Sequence, residues 1–159
     1  PLEELHRFAA VLERSAEVDM VFGARVRLLG RVIERKTYRH LYGRGFATAV
    51  SNVLALNVYD TQCGAKLFRA SDDLRVIFGR PFLSRWIFDV EILARLIVQS
   101  EPHRDVAERI VELPLHEWRH VAGSKIGPAD GLKAGWELAR IGREYRGVLR
   151  ARRRRLRGL

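Results

Sequence analysis

Cysteine is almost missing: Cys63 stands alone among 159 residues. The chain therefore forms no internal disulfide, and a reducing compartment suits it. Acid is scarce beside base. Nineteen Asp and Glu face 29 Lys and Arg, a formal charge of +10, which points to an anionic counterpart such as nucleic acid, a lipid head group or a phosphorylated substrate. No apolar run approaches the roughly 20 residues needed to span a bilayer. Internal repeats and a signal-peptide pattern are also lacking, and the only biased segment is the arginine-rich end. The chain opens on Pro1, not Met, with a helical pattern already under way, so its true N-terminus is expected elsewhere.

What is present is a 47% apolar composition, enough for a folded core and against disorder. Leu2, Leu5, Phe8, Ala9 and Leu12 fall on one helical face, and Val18 to Phe22 reads as a short buried strand ended by Gly23. A long helix is predicted from Thr37 to Leu56, a strand from Gly64 to Phe68, and a short helix from Ser71 to Phe78, opened by Ser71-Asp72-Asp73. Phe88 to Gln99 is a strong helix with Ile92, Leu93, Leu96 and Ile97 as its inner stripe. Ile110 to Leu113 and Leu115 to Val121 alternate like sheet segments, and one last helix is predicted from about Pro128 to Arg157. Alternating strands and helices indicate an α/β layered domain with too few strands for a complete doubly wound sheet.

Five segments carry candidate chemistry. Gly23-Ala24-Arg25 is a strand end where glycine admits close approach to a ligand and arginine can meet a phosphate, or simply a strand end with a surface arginine. A basic run from Arg25 through Arg27, Arg31, Arg35, Lys36, Arg39, His40 and Arg44 is opposed only by Glu34 and interleaved with Tyr38, Tyr42 and Phe46. It suits a solvated helix face, an anion-facing surface or a membrane interface. Asp60-Thr61-Gln62-Cys63-Gly64 is a polar loop between core elements, with an Asx-turn as the plain alternative. Ser84 to Glu91 places Asp89 and Glu91 at a helix start, where one caps and the other can face a cleft. Trp118-Arg119-His120 followed by Gly123-Ser124-Lys125 can close over a phosphorylated or sugar ligand, or form a surface turn.

Together, Asp60 to Phe68, Arg85 to Leu93 and Gly123 to Lys125 give the chain a resemblance to the dolichyl-phosphate β-glucosyltransferases and their bacterial relatives, which are family 2 glycosyltransferases. Gly23-Ala24-Arg25 is similar to that family's Gly-Ser-Arg strand end, and Arg39 and Gly45-Phe46 match in their spacing to Asp60. The likeness runs from Pro1 to about Tyr145. It implies the C-terminal part of a GT-A, Rossmann-like domain over 1–127, an incomplete mixed sheet with flanking helices, and a basic amphipathic helix over 128–159. The implied activity is inverting transfer of a hexose, glucose favoured, from UDP-glucose or another nucleotide sugar to a polyprenyl or dolichyl phosphate. Mg2+ or Mn2+ is expected in the complete enzyme, on an Asp-x-Asp motif preceding Pro1, with no metal ligand in this chain. By the same resemblance Asp89 and Asp60 are the catalytic carboxylates. Arg85, Arg119, Lys125, Ser124 and Arg39 hold the acceptor or a phosphate, and Arg25 and Gln62 lie on the donor side.

The chain alone is then expected to be inactive and to need its missing N-terminal half or a second chain. Its expected place is the cytoplasmic face of a membrane, bound peripherally: Arg140, Arg143, Arg146, Arg150 and Arg152 to Arg155 set against Trp136, Ile141, Tyr145, Val148 and Leu149 suit an anionic surface. Two other readings stay open, a non-catalytic partner subunit or pseudoenzyme, and a basic nucleic-acid-binding module. The latter is disfavoured because the aromatics fall among core positions rather than on an exposed stacking sheet.

Overall fold

Met20 to Ala24 are buried on every side, and this short strand, β1, is the middle of a three-stranded sheet. The computed structural model describes residues 2–34, 37–100, 102–119 and 128–158, without the side chains of 37–42 and 128–129. β3 (Lys66–Phe68) pairs antiparallel with β1, Phe22 opposite Lys66. β4 (Ile110–Pro114) pairs parallel on its other side, Phe22 opposite Glu112. The result is a small mixed sheet with flanking helices. A second pairing joins β2 (Val32–Ile33) to β5 (Glu117–Trp118) in parallel.

Alternation along β1 divides the interior. Met20 and Phe22 join a large core with α2 (Thr37–Leu54), α4 (Phe88–Ser100) and the two C-terminal helices, α5 (Pro128–Glu144) and α6 (Arg146–Leu156). Val21 joins a smaller core with Phe8 of α1 (Glu3–Arg14), Ile33, Cys63 and Leu115. Gly23 continues that second face. A Cβ there would lie 2.6 Å from Leu115 Cδ2, so the close approach that demands glycine is to a core leucine rather than to a ligand.

α4 is the central helix. Asp89 through Ile97 are all buried, which explains why its sequence is apolar almost all round. Two of its three charged residues satisfy each other: Glu91 accepts from Arg95 at 2.7 Å, from Tyr145 Oη at 3.0 Å and from the Leu83 amide at 2.7 Å. Arg95 also donates to the carbonyls of Ile77, Arg80 and Pro81. That pair fixes the end of α3 (Asp72–Phe78) and the loop leading to residue 83.

The sequence reading differs from the structure in three places. The predicted segment from Leu115 to Val121 pairs only at Glu117 and Trp118, and its last two residues lie outside the described residues. β2 had no sequence signal, because its two residues are ordered by their partner strand. The predicted single C-terminal helix is two, broken at Tyr145, whose hydroxyl is drawn to the Glu91–Arg95 pair. Helical periodicity continues across this break and cannot mark it.

The arginine-rich end folds back. Ala55 ends α2 in the left-handed region (φ 51°), leaving carbonyls of the last turn exposed to donors. Arg152 donates to Ala55 O at 3.0 Å, and Arg153 to Asn52 O and Val53 O at 2.7 Å each. Arg152 also meets Asp105 at 2.9 Å with its side chain only 2% exposed. Cations at a helix C-terminus are favoured by charge as well as by hydrogen bonding.

Replacing Arg152 by Met should cost about 3 kcal/mol in urea unfolding, as expected when one partner of a buried pair is removed. The sign of its pH dependence is fixed. Burial works against ionisation of Asp105, but the Ala107 amide and Arg152 outweigh it and hold the carboxyl below its ordinary value. This contribution is complete above the ordinary value and fades as pH falls through the lowered one. The stability difference between about pH 7 and about pH 3 should therefore shrink in the variant. An unchanged difference would show that Arg152 does not act on Asp105.

Candidate functional site

Three carboxylates gather at the end of β1 where the loop before β3 crosses it. Asp60 is 5% exposed and takes Arg25 in a two-pronged grip: Nε to Oδ2 at 2.6 Å and Nη2 to Oδ1 at 2.7 Å. The Arg25 amide adds a third bond at 3.1 Å. Burial works against the Arg25 charge, yet Asp60 outweighs it and holds the guanidinium more firmly protonated. The guanidinium also lies 5.2 Å from the Trp118 ring centre, so β5 closes over the pair.

Glu112 on β4 supports this grip from behind. Its carboxylate accepts the amides of Tyr59 at 2.8 Å and Asp60 at 2.6 Å, fixing the backbone that carries Asp60. Burial pushes the Glu112 carboxyl up; the two amides oppose this and the Asp60 charge adds to it. An open polar pocket of about 460 Å3 adjoins it, lined by Arg44, Thr48, Asn52, Asn57 and Tyr59 among others.

Asp89, in the first turn of α4, is the third carboxylate. Lys66 Nζ lies 2.9 Å from its Oδ1, with side-chain exposures of 9% and 12%. Burial pushes the Asp89 carboxyl up, Lys66 and a backbone amide oppose this, and the nearby Asp60 charge raises it further. Cys63, fully buried between them, has its thiol pushed up by burial and by Asp60. The arrangement supplies a carboxylate of raised proton affinity beside a charge-compensated partner, which suits proton transfer or the orienting of a nucleophile.

The structure thus brings together Asp60, Asp89 and Arg25 from three distant segments. Gln62 lies half-buried in the same loop, its Nε2 buried without a hydrogen-bond partner among the described residues, as is Thr61 Oγ1. Arg85 is exposed on the loop before α4, and Arg119 is exposed beside Glu117. Arg39 lies in α2 with its side chain outside the described residues, and Ser124 and Lys125 fall wholly outside them. Lys66 and Glu112 were missed as site residues. Lys66 belongs to the Asp60 to Phe68 string, and Glu112 is the one acid within the otherwise apolar Ile110 to Leu113. A charge within an otherwise apolar strand was the available signal.

The donor set does not suit a divalent cation. Asp60 and Asp89 are each matched by a basic side chain, and Glu112 is engaged by amides. Among the described residues no group of three His, Cys, Asp or Glu could hold a metal ion. No chemical step is assigned to a metal on these side chains.

Comparison with known proteins gives one consistent likeness. The chain is 30% identical over 148 residues to a dolichyl-phosphate β-glucosyltransferase of Trichomonas vaginalis, covering 92% of this chain and 41% of that protein. The enzyme of the same name from Dictyostelium discoideum is 30% identical over 132 residues, 81% of this chain and 38% of its own length. That from Saccharomyces cerevisiae is 33% identical over 137 residues, 83% and 38%. The chain spans about two fifths of the length of these curated relatives. No family model and no solved structure matches it.

Replacing Glu112 by Gln leaves one acceptor for two amides and turns an NH2 toward an N–H. Hydrogen exchange at Tyr59 and Asp60 should then accelerate by about tenfold or more, the equivalent of roughly 1.4 kcal/mol of lost restraint. Unchanged protection at both amides would mean that Glu112 does not hold this loop.

Proposed function

We propose that this chain, similar over most of its length to dolichyl-phosphate β-glucosyltransferases, is the acceptor-side part of a family 2 glycosyltransferase of GT-A fold. The observation that carries the reading is the Asp60–Arg25 and Lys66–Asp89 cluster. Two of the strings that carry the sequence likeness, 60–68 and 85–93, supply three of its four side chains and meet in space, with Arg25 coming from the Gly23-Ala24-Arg25 strand end. The substrates would be a nucleotide sugar, UDP-glucose favoured, and a polyprenyl or dolichyl phosphate. Mg2+ or Mn2+ would be held by residues in the part of the complete protein that this chain does not span.

A terminal phosphate has a second pKa of about 6 and is mostly dianionic at neutral pH. Its oxygen forms the new bond to the anomeric carbon while the bond to the departing diphosphate breaks, inverting that centre. Positioning then matters more than strong base catalysis. Asp89 orients the acceptor or removes its residual proton, and Asp60 is held by Arg25 as the fixed wall of the site. Arg85, exposed, would meet phosphate oxygens, and Arg119, exposed but paired with Glu117, would have to exchange that partner to do so; Lys125, Ser124 and Arg39 are the further candidates from the sequence.

Such an acceptor resides in a bilayer, and the molecule has a surface that suits one. The apolar positions Ile141, Tyr145, Val148 and Leu149 of the C-terminal helices face the core, so they do not form the membrane face expected from the sequence. Outward instead are Leu132 and Trp136, 82% and 64% exposed and one turn apart on α5. Arg140 lies under Trp136, 5.8 Å from its ring centre, and reaches Leu83 O, next to the loop that exposes Arg85 and Trp86. Tryptophan and arginine side by side suit the head-group region. Among the described residues no helix is long and apolar enough to cross a membrane.

Two outcomes are expected. In the complete protein, Asp89→Asn should lower nucleoside diphosphate release from a labelled nucleotide sugar, with polyprenyl phosphate in detergent, by about a hundredfold or more. Donor binding should be nearly unchanged, and parental turnover in that variant would remove Asp89 from the reaction. Flotation with anionic vesicles should weaken about tenfold in the Leu132→Ser, Trp136→Ser double variant, since shallow apolar burial is lost while charge is kept. If only the arginines after Gly147 matter, the binding face is α6 and not α5.

A further inference from the structure

We propose that Lys66 is the positioning residue for Asp89: a buried salt-bridge tether from β3 that fixes where this carboxylate points and keeps it charged. The inference rests on the assignment of Asp89 above and deepens it. Lysine is seldom withdrawn from water, because its ammonium is strongly hydrated and needs partners when buried. Here Nζ has two, the Asp89 carboxylate at 2.9 Å and the carbonyl of Cys63. The second partner belongs to the loop that carries Asp60, so the ammonium joins that loop to the first turn of α4.

The charges facing Asp89 show why this cation matters. Those acting on it are Lys66 from β3 and Asp60 from the preceding loop, and they have opposite effects. Arg25, the other cation of the cluster, directs Nε and Nη2 to Asp60. Remove the Lys66 ammonium and Asp89 keeps its burial and its repulsion from Asp60, with a backbone amide as the remaining help. A buried carboxylate in that position takes up a proton. It then points by a different hydrogen bond and no longer serves as an acceptor for a substrate proton. A lysine that served only to fasten β3 to its loop would need the Cys63 carbonyl alone.

The test is the titration of the Asp89 side-chain carboxyl carbon by NMR, in the intact protein carrying selectively labelled aspartate. In Lys66→Met its midpoint should rise by about one pH unit or more, a tenfold gain in proton affinity. Lys66→Arg should restore most of the difference. An unchanged midpoint in Lys66→Met overturns the proposal. If that variant does not fold, Lys66→Gln, which keeps a donor for the Cys63 carbonyl, takes its place: the Asp89 midpoint should again rise by about one pH unit or more, and no change overturns the proposal equally. Kinetics add a separate arm. The acidic limb of kcat/KM should move upward in Lys66→Met, with the KM for the nucleotide sugar little altered. Absence of sugar transfer by the complete parent protein would defeat the glycosyltransferase reading while leaving the NMR result to judge Lys66. Transfer with an unmoved Asp89 midpoint would do the reverse.

Discussion

Carboxylates withdrawn from water set the terms for most of this structure. Asp60, Asp89 and Glu91 are buried and Glu112 is half-buried, and an isolated charge in such places costs several kcal/mol. Each is answered locally, by Arg25, by Lys66, by Arg95 with Tyr145, and by two amides. The answering groups come from other segments in nearly every case. Satisfying four acids therefore ties the end of β1, the loop before β3, the loop before α4 and the C-terminal helices together. Apolar burial gives these elements a reason to pack, but it is indifferent to small sliding. The paired charges are not, and they give the loops one position each.

This division also explains what could be read from the sequence. The helices were legible because their inner stripes repeat every three or four residues: Ile92, Leu93, Leu96 and Ile97 announce α4, and Val50 and Leu54 announce the end of α2. β1 was legible as a short apolar run closed by glycine. Pairing was not. Nothing in Val32 and Ile33 names Glu117 and Trp118 as partners, and Lys66 opposite Phe22 depends on a register set by the whole sheet. Asp60 and Asp89 stood out as acids at element boundaries, and their strings matched a family. Lys66 and Glu112 did not stand out, because their importance comes from what they touch. Helical continuity across Tyr145 misled for the same reason: what sets that residue apart is its contact with a buried pair on another helix.

The net charge of +10 is a poor guide to surface potential here. Arg69 donates to the carbonyls of Leu12, Ser15 and Val18 at the end of α1 and beyond. Arg109 joins Asp19 to Asp73, Arg95 serves the turn after α3, and Arg152 and Arg153 serve the end of α2. Arginine suits this work because its planar fork reaches several acceptors at once and keeps its charge when half-buried. Five of the arginines that raise the isoelectric point are thus internal fasteners. A stripe of phosphate-contacting side chains, as nucleic-acid binding requires, cannot be built from them.

The same accounting bears on how the site would handle anions. Within the cluster, Arg25 and Lys66 stand against Asp60, Asp89 and Glu112, so with every group ionised the site carries no positive excess. A phosphate dianion and a diphosphate brought to such a place gain nothing from two cations already committed to carboxylates. In the proposed reaction, stabilisation would come from cations outside the cluster, exposed Arg85 among them, and from the part of the complete protein that this chain does not span. That separation has a chemical use. In the proposed reaction, interior cations would fix the carboxylate that meets the acceptor, and solvated cations outside the cluster would follow phosphate groups as they arrive and leave. A site that used one set of cations for both tasks would release its orienting carboxylate each time a phosphate bound.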